Sequence, residues 1–478
     1  MKKKGATSDD HLYLQVADGL EKMIAEEVLR IGDKLPSVRL LSKENGISMG
    51  TAFQAYYHLE GRGLIESRPK SGYYVRFNHR FPQLPDQVKP DNASHEVSIK
   101  EMITSIYADI VAAGVVNFAL AVPDISLVPS AKINKSVVYA LRSTKGHCIS
   151  YEHTQGNEAL RQQVAKLSFN WGGKIKPDEV IITSGCQEAV MLCLKAVTNH
   201  GDTVAVECPT YFGIYQSIEN LGLKVVEIPS DPTNGLDLER LQKAIKKFAI
   251  KACVTVPNFN NPLGSCMPDE NKKRLVDIIT QQNIPLIEDD IYGELYFGKN
   301  RPKACKYYDT NGMVMYCSSL SKSLAPGYRI GWTIPGKFFE PVKQIKRVQN
   351  ISSPSLTQAA MAHYLKHGRY EYHLKNLRKA LHTQSLRYVQ AIIHYFPPDT
   401  KISRPAGGFT LWIELNKKVD SFKLRTEAMK HKISIVPGKI FSASIDYSNY
   451  IRISFGKPWS EDVDYGLMML GKIIKKMC

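Results

Sequence analysis

Ser319-Leu320-Ser321-Lys322-Ser323-Leu324-Ala325-Pro326-Gly327-Tyr328-Arg329-Ile330-Gly331-Trp332 decides how this chain is read. An apolar run, Val314 to Cys317, leads into two serines flanking one position. A lysine follows at once, and an arginine stands seven residues beyond it. A deprotonated lysine amine attacks an aldehyde, while hydroxyls and a guanidinium suit a phosphate dianion. The turn is equipped for a molecule carrying both groups. A bare Ser-x-Ser-Lys also describes an ordinary surface turn, so the rest of the chain has to decide.

With 478 residues the chain is long enough for two or three domains. Its hydrophobic fraction of 43% and charged fraction of 23% are those of a soluble globular protein. No apolar stretch approaches the length of a membrane span, and no apolar signal core follows the basic start Met1-Lys2-Lys3-Lys4. The nine cysteines are odd in number, scattered and without CxxC spacing, which predicts reduced thiols in a cytoplasmic protein and no metal site. The net charge of +17 suits an anionic partner. Its distribution is uneven: about three excess positive charges lie in residues 1–80 and about eight between Glu340 and Arg404.

At the N-terminus, Leu12, Val16, Leu20, Met23, Ile24, Val28 and Leu29 fall mostly at helical spacing. Gly32-Asp33-Lys34-Leu35-Pro36 breaks the chain, Ser37 is a good cap for a helix over Val38 to Glu44, and Asn45-Gly46 makes a turn. Ser48 then caps a helix over about Met49 to Arg62. Two helices joined by a tight glycine turn are the pattern of a helix-turn-helix. Leu64 to Arg76, turning at Pro69-Lys70-Ser71-Gly72, reads as a hairpin. Residues 78–98 hold Pro82, Pro85 and Pro90, several charges and few aliphatics, the composition of a semi-extended linker. A helix over about Ile99 to Ala113 is expected to open the second module.

Beyond it, β-branched runs at Val180–Thr183, Thr203–Val206, Lys224–Ile228, Ala252–Val256 and Pro285–Ile287 alternate with helical stretches. That alternation predicts a largely parallel sheet covered on both faces, with ligands at the carboxyl ends of its strands. Candidate residues stand at those ends. Ser184-Gly185-Cys186-Gln187 opens a helix whose amides form an anion site. Tyr211 follows one run, and Asn258-Phe259-Asn260-Asn261-Pro262-Leu263-Gly264 follows another. Glu288-Asp289-Asp290-Ile291-Tyr292 follows a third, where the three-residue spacing to Tyr292 favours Asp289 over Asp290.

The string around Lys322 closely resembles the cofactor-lysine segment of fold-type I pyridoxal 5'-phosphate (PLP) enzymes, the aspartate aminotransferase superfamily, and the other segments follow in that family's order. The resemblance implies an α/β fold with a large, mostly parallel sheet subdomain (about 135–340) and a small α+β subdomain (about 341–478 with 99–134). It implies Lys322 as the aldimine lysine. The phosphate would be held by Ser319, Ser321, Arg329 and the Cys186 and Gln187 amides, and the ring stacked by Tyr211. Asp289 would face the pyridine nitrogen, and Asn261 and Tyr292 the phenolate oxygen. Arg452, in the strand-like Tyr450-Ile451-Arg452-Ile453-Ser454, would grip a ligand carboxylate. Tyr151 would reach the phosphate of a neighbouring subunit, which implies a head-to-tail homodimer.

The first module resembles the winged helix-turn-helix domain of GntR regulators through Gly32-Asp33-x-Leu35-Pro36-Ser37-x-Arg39, Ser48-x-x-Thr51, Leu59-Glu60-x-x-Gly63-Leu64-Ile65 and Arg68-Pro69-x-Ser71-Gly72. This implies a DNA-binding domain over residues 1–77, with Arg39, Ser48, Thr51, Lys70, Ser71 and Gly72 near a double-stranded operator. Many such proteins carry arginines where this chain has Met49 and Phe53, so sequence discrimination is expected to be weaker or to rest on other side chains. The two modules together resemble the MocR subfamily. That implies a PLP-dependent regulator in which an amino acid or amine forms an external aldimine and shifts the geometry of the DNA-binding heads. A working aminotransferase carrying such a head remains the alternative. Asn117 to Asp124 stands where relatives have a glycine-rich substrate loop, which limits backbone approach to a ligand.

Overall fold

Ser37 and Ser48 start their helices as their chemistry dictates. The Ser37 hydroxyl accepts the Leu40 N–H, and the Ser48 hydroxyl accepts the Thr51 N–H, filling donors that the first helical turn leaves open. The computed structural model describes residues 9–25, 28–29, 32–68, 71–76, 83–97, 103–104, 114–143 and 147–478. The chain divides into two compact units, Met1–Pro82 and Gln83–Cys478.

In the first unit, α1 (Asp9–Ala25), α2 (Val38–Glu44) and α3 (Met49–Gly61) pack around Ala17, Leu41, Ala52, Tyr56 and Leu59. A hairpin of β1 (Ile65–Arg68) and β2 (Gly72–Val75) closes it, in antiparallel register from Ile65 against Val75 to Arg68 against Gly72. Gly72 has φ +105°, a conformation that a residue with a Cβ resists. This is a winged helix. Lys70 lies outside the described residues, as does most of the helix expected over 99–113, of which Ile103 and Thr104 are described and helical.

The second unit contains β3 (Ser94–Glu96), β4 (Val116–Asn117), β5 (Ile181–Thr183), β6 (Thr203–Cys208), β7 (Lys224–Asp231), β8 (Gly235–Leu236), β9 (Ile250–Thr255), β10 (Leu286–Asp289), β11 (Val314–Ser319) and β12 (Gly331–Ile334). The large sheet has the order β3-β7-β6-β9-β10-β11-β12-β5, with β8 beside β7. The β6–β7, β6–β9, β9–β10 and β10–β11 pairs are parallel. β12 runs against both β11 and β5, so β5 points the same way as the parallel set. The β10, β11 and β12 strands are buried at every position, so Leu286-Ile287 and Val314–Cys317 do not alternate with exposed polar residues. The carboxyl ends of β5, β6, β9, β10 and β11 therefore share one edge of the sheet, and the start of the reversed β12 joins them.

A second sheet is built from β13 (Lys401–Ile402), β14 (Thr410–Glu414), β16 (Val436–Pro437) and β17 (Tyr450–Ser454), in the order β13-β14-β17-β16 and antiparallel throughout. β15 (Ile433–Ser434) pairs with β4, so residues 116–117 are tied to the C-terminal part of the chain.

The expected linker needs correction. Residues 83–97 belong to the second unit and are bound to it. Ile402 N–H donates to the Gln83 carbonyl (2.9 Å), Asp86 N–H donates to Glu414 (2.7 Å), and Ser94–Glu96 adds an antiparallel edge strand to β7. Edge pairing with a strand far along the chain was invisible to composition.

Candidate PLP site and DNA-binding face

The sheet edge gathers the residues that the sequence scatters. Lys322 follows β11, and its half-buried amine donates to the Ala121 carbonyl at 2.7 Å. Burial lowers its pKa to about 8. The Arg452 charge pushes the same way, and Asp289 opposes both. This amine is therefore unprotonated, and nucleophilic, in a much larger fraction than a solvated lysine.

Asp289 ends β10. Its Oδ1 accepts the Cys186 thiol (3.1 Å) and the Ile291 N–H (3.2 Å), and burial raises its pKa to about 6. Asp290 is engaged elsewhere. It receives Arg301 (2.6 Å), Tyr316 (2.9 Å) and Asn258 (2.8 Å), so its charge is balanced within the fold. Of the adjacent pair, Asp289 is the carboxylate beside Lys322. The Asn261 amide donates weakly to the Tyr292 hydroxyl at 3.4 Å, and Asn261 Oδ1 is buried without a partner.

At the helix Cys186–Val197, Gly185 is the N-cap, with φ +107°. A Cβ there would overlap Arg329 Nη2. Arg329 is exposed, adopts φ +52°, and donates to the Ser184 carbonyl (2.6 Å) and more weakly to the Ser321 hydroxyl (3.5 Å). The Ser319 hydroxyl accepts the Ser321 N–H at 3.2 Å. Two hydroxyls, a guanidinium and a helix N-terminus thus meet at one corner. Cys186 directs its thiol to Asp289 rather than to this corner, leaving its amide as the only group it can offer there. The Gln187 side chain donates to the Gly213 carbonyl (2.6 Å) and Ser217 (2.8 Å), so it too offers only an amide. Tyr211 precedes the helix Phe212–Asn220, with its ring packed over Gly213.

Arg452 sits on β17 opposite Trp412 and Val436. It is 2% exposed, and its Nε and Nη1 have no partner. Burial lowers its pKa to about 10, against the pull of Tyr292 and Tyr211. Tyr151, by contrast, is 83% exposed and takes no part in the hydrogen bonds of this cluster. Sequence reasoning missed the Ala121 carbonyl, because a backbone acceptor has no residue signature, and it missed the bond from the Cys186 thiol to Asp289.

These residues fit pyridoxal phosphate. There is an amine of lowered pKa, a buried carboxylate, an anion corner, and unpartnered buried polar atoms on Asn261 and Arg452. Residues 116–469 match the family Aminotransferase class I and II, and residues 12–75 match Bacterial regulatory proteins, gntR family.

The chain belongs to the class I and II aminotransferases.

Its helix-turn-helix head makes it a gntR-family member as well, and the two parts in this order are the MocR-type arrangement. It is similar to the HTH-type transcriptional regulators YdcR and YjiR of Escherichia coli K12. Identities are 37% and 36%, covering 97% of this chain in each case and 99% and 98% of the relatives. Among solved structures it is similar to LysN, an alpha-aminoadipate aminotransferase of Thermus thermophilus complexed with N-(5'-phosphopyridoxyl)-L-leucine. That likeness has a TM-score of 0.72 at 28% identity and covers 80% of this chain and 99% of that one. The aminotransferase family and its PLP-complexed structural neighbours indicate pyridoxal 5'-phosphate as the cofactor of this domain. Among the described residues, no helix is long and apolar enough to cross a membrane.

In the head, Arg39 on α2 and Ser48 are exposed. Thr51 has a local partner. This residue is 5% exposed and its hydroxyl lies 2.7 Å from that of Ser48, so it takes part in the helix cap. By helical periodicity it falls on the buried face of α3. The Ser71 hydroxyl meets that of Tyr74 at 2.6 Å.

Proposed function

We propose that this chain is a PLP-dependent, DNA-binding transcription regulator that senses an amino acid or a related carboxylate-bearing amine. The observation that carries the reading is Arg452: a buried guanidinium with two unpartnered N–H atoms, electrostatically coupled to Lys322, on a chain that also bears a helix-turn-helix. An unpaired buried cation is costly unless an anionic ligand completes it, and a planar carboxylate fits its fork of donors.

Ser319, Ser321, Arg329 and the Cys186 and Gln187 amides would hold the cofactor phosphate. Tyr211 would cover the ring, Asp289 would keep the ring nitrogen protonated, and Asn261 and Tyr292 would orient the phenolic oxygen. Bound there, pyridoxal phosphate supplies an aldehyde that captures amines and a ring that withdraws electrons. Lys322 would hold and release a proton at Nζ, close to neutral pH. We further propose that the chain acts in the cytoplasm as a head-to-tail homodimer in which Tyr151 reaches across to the partner's site, in keeping with its exposed ring. Arg39, Ser48, Lys70, Ser71 and Gly72 are proposed to lie at the phosphate backbone of DNA.

The test is fluorescence anisotropy of the PLP-loaded protein on DNA from its own upstream region, with and without a panel of amino acids and amines. A single compound class is expected to change the affinity, and no response to any member of a broad panel would refute sensing. The second reading, a working aminotransferase, is favoured by one observation: Lys322, Asp289, Tyr292, Asn261 and Arg452 are all present. Keto-acid formation no faster than with free cofactor would exclude it.

A further inference from the structure

The helix α3 presents a face that nothing in its own unit covers. Along Met49–Gly61 the burial alternates in pairs. Met49, Gly50, Phe53, Gln54 and Tyr57 are exposed, whereas Thr51, Ala52, Ala55, Tyr56 and Leu59 are buried. The exposed positions recur every four residues and so form one continuous stripe along the helix. Its three large side chains are apolar and about half exposed: Met49 53%, Phe53 52% and Tyr57 57%. Isolated exposed apolar residues are ordinary; a row on one helix face marks a contact surface. The face carries no charge, and its one hydrogen-bonding side chain other than the Tyr57 hydroxyl is an amide.

In a helix-turn-helix the second helix enters the major groove and its N-terminal residues meet the base edges. Charge on the unit suits that occupant, because Lys34, Arg39 and Lys43 are exposed cations available to phosphates. The helix starts at Ser48, so Met49, Phe53 and Gln54 lie in its first two turns. Gly50 adds no side chain to hold the groove away. Met49 and Phe53 are separated by about 6 Å of helix rise, close to two base-pair steps of roughly 3.4 Å each. An apolar side chain distinguishes one base-edge group in that groove, the 5-methyl of thymine, and a glutamine amide matches the paired acceptor and donor of adenine.

We propose that α3 reads A·T base pairs in the major groove, with Met49 and Phe53 against thymine methyl groups and Gln54 on adenine. This rests on the reading of the head as a DNA-binding domain and adds what the head recognises. It accounts for a recognition helix without an arginine on its exposed face. Specificity comes from methyl burial and an amide, and the exposed cations supply affinity that is indifferent to sequence.

The experiment uses full-length PLP-loaded protein and a duplex recovered by binding from a randomised pool. The duplex is synthesised once with thymidine and once with deoxyuridine, which differs by the methyl alone. The thymidine duplex is expected to bind more tightly, by about fourfold for each methyl read, the equivalent of the roughly 0.8 kcal/mol contributed by burying such a group. Phe53→Ala and Met49→Ala should each reduce that preference while leaving salt-dependent binding to unrelated duplex intact, and Met49→Arg should move the selected sequences toward guanine. Both positions are exposed, so the variants should fold, and circular dichroism checks this. Equal affinity for the two duplexes overturns the proposal. So does an unchanged preference in both alanine variants, which would leave the stripe to a protein partner. Failure to bind any duplex at low salt would defeat the DNA-binding reading itself, an outcome distinct from the loss of methyl discrimination.

Discussion

Cys186 and Asp289 meet across the sheet edge: the thiol of the first residue of one helix donates to the carboxylate of the last residue of β10 at 3.1 Å, joining positions 103 apart in sequence. The bond favours the charged carboxylate and opposes the upward push of burial. Cys186→Ala should therefore raise the Asp289 pKa further, by about one unit if the bond contributes the roughly 1.5 kcal/mol usual for a charged acceptor. Cys186→Ser retains a donor and should resemble the parent. A pH titration of the PLP-loaded protein's visible absorbance checks both, and identical titrations for all three proteins would refute the coupling.

Lys322 is an amine of lowered pKa, about 8. Only the unprotonated amine attacks an aldehyde, so the unprotonated fraction rises with pH and levels off above that value. Cofactor uptake by the ligand-free protein should accelerate by about tenfold per pH unit below pH 8 and then reach a plateau. Stopped-flow absorbance measures this. In Lys322→Ala, covalent retention after borohydride reduction should vanish by mass spectrometry.

Arg452 is buried with Nε and Nη1 unpaired, a penalty that a bound carboxylate would relieve. Arg452→Met should raise the ligand-free protein's stability by roughly 1–4 kcal/mol and weaken amino-acid binding by about 30-fold or more. Chemical denaturation and spectral titration report the two effects separately. A carboxylate-free amine should lose much less affinity than the matching amino acid.

Gly185 holds φ +107°, and a Cβ on it would overlap Arg329 Nη2. Gly185→Ala should displace Arg329 from the Ser184 carbonyl. Because Arg329 is exposed and able to swing outward, the fold should survive at a cost of about 1–3 kcal/mol. The PLP dissociation rate measured on dilution should rise by at least about tenfold, a loss of ~1.4 kcal/mol or more. An unchanged rate would mean that the arginine does not anchor the phosphate.

The helix caps at Ser37 and Ser48, the hairpin turning before Gly72, and the strand runs that end at candidate residues were legible in the sequence, because each is set by neighbours a few positions away. The order of the motifs was legible for the same reason: each is a short turn following a strand. The burial of Thr51 was not legible, because a motif match carries no information about which side of a helix packs inward.

What only the tertiary structure decided involves partners remote in sequence. The partners that occupy Asp290, namely Arg301, Tyr316 and Asn258, converge on it from remote positions, whereas the preference for Asp289 was already legible in its spacing to Tyr292. The Lys322 amine rests on Ala121, 201 positions away, through a backbone oxygen that any residue possesses. Residues 83–97 lie on the sheet because β7 has an open edge for Ser94–Glu96. The sequence by itself determined a lysine beside two serines, an arginine seven residues beyond it and a helix-turn-helix ahead of them, since side-chain chemistry and local turns suffice for those. Burial and long-range hydrogen bonding then decided which thiol and which carbonyl stand beside Asp289 and Lys322, since a group's pKa and its partners depend on what the fold brings within a few ångströms.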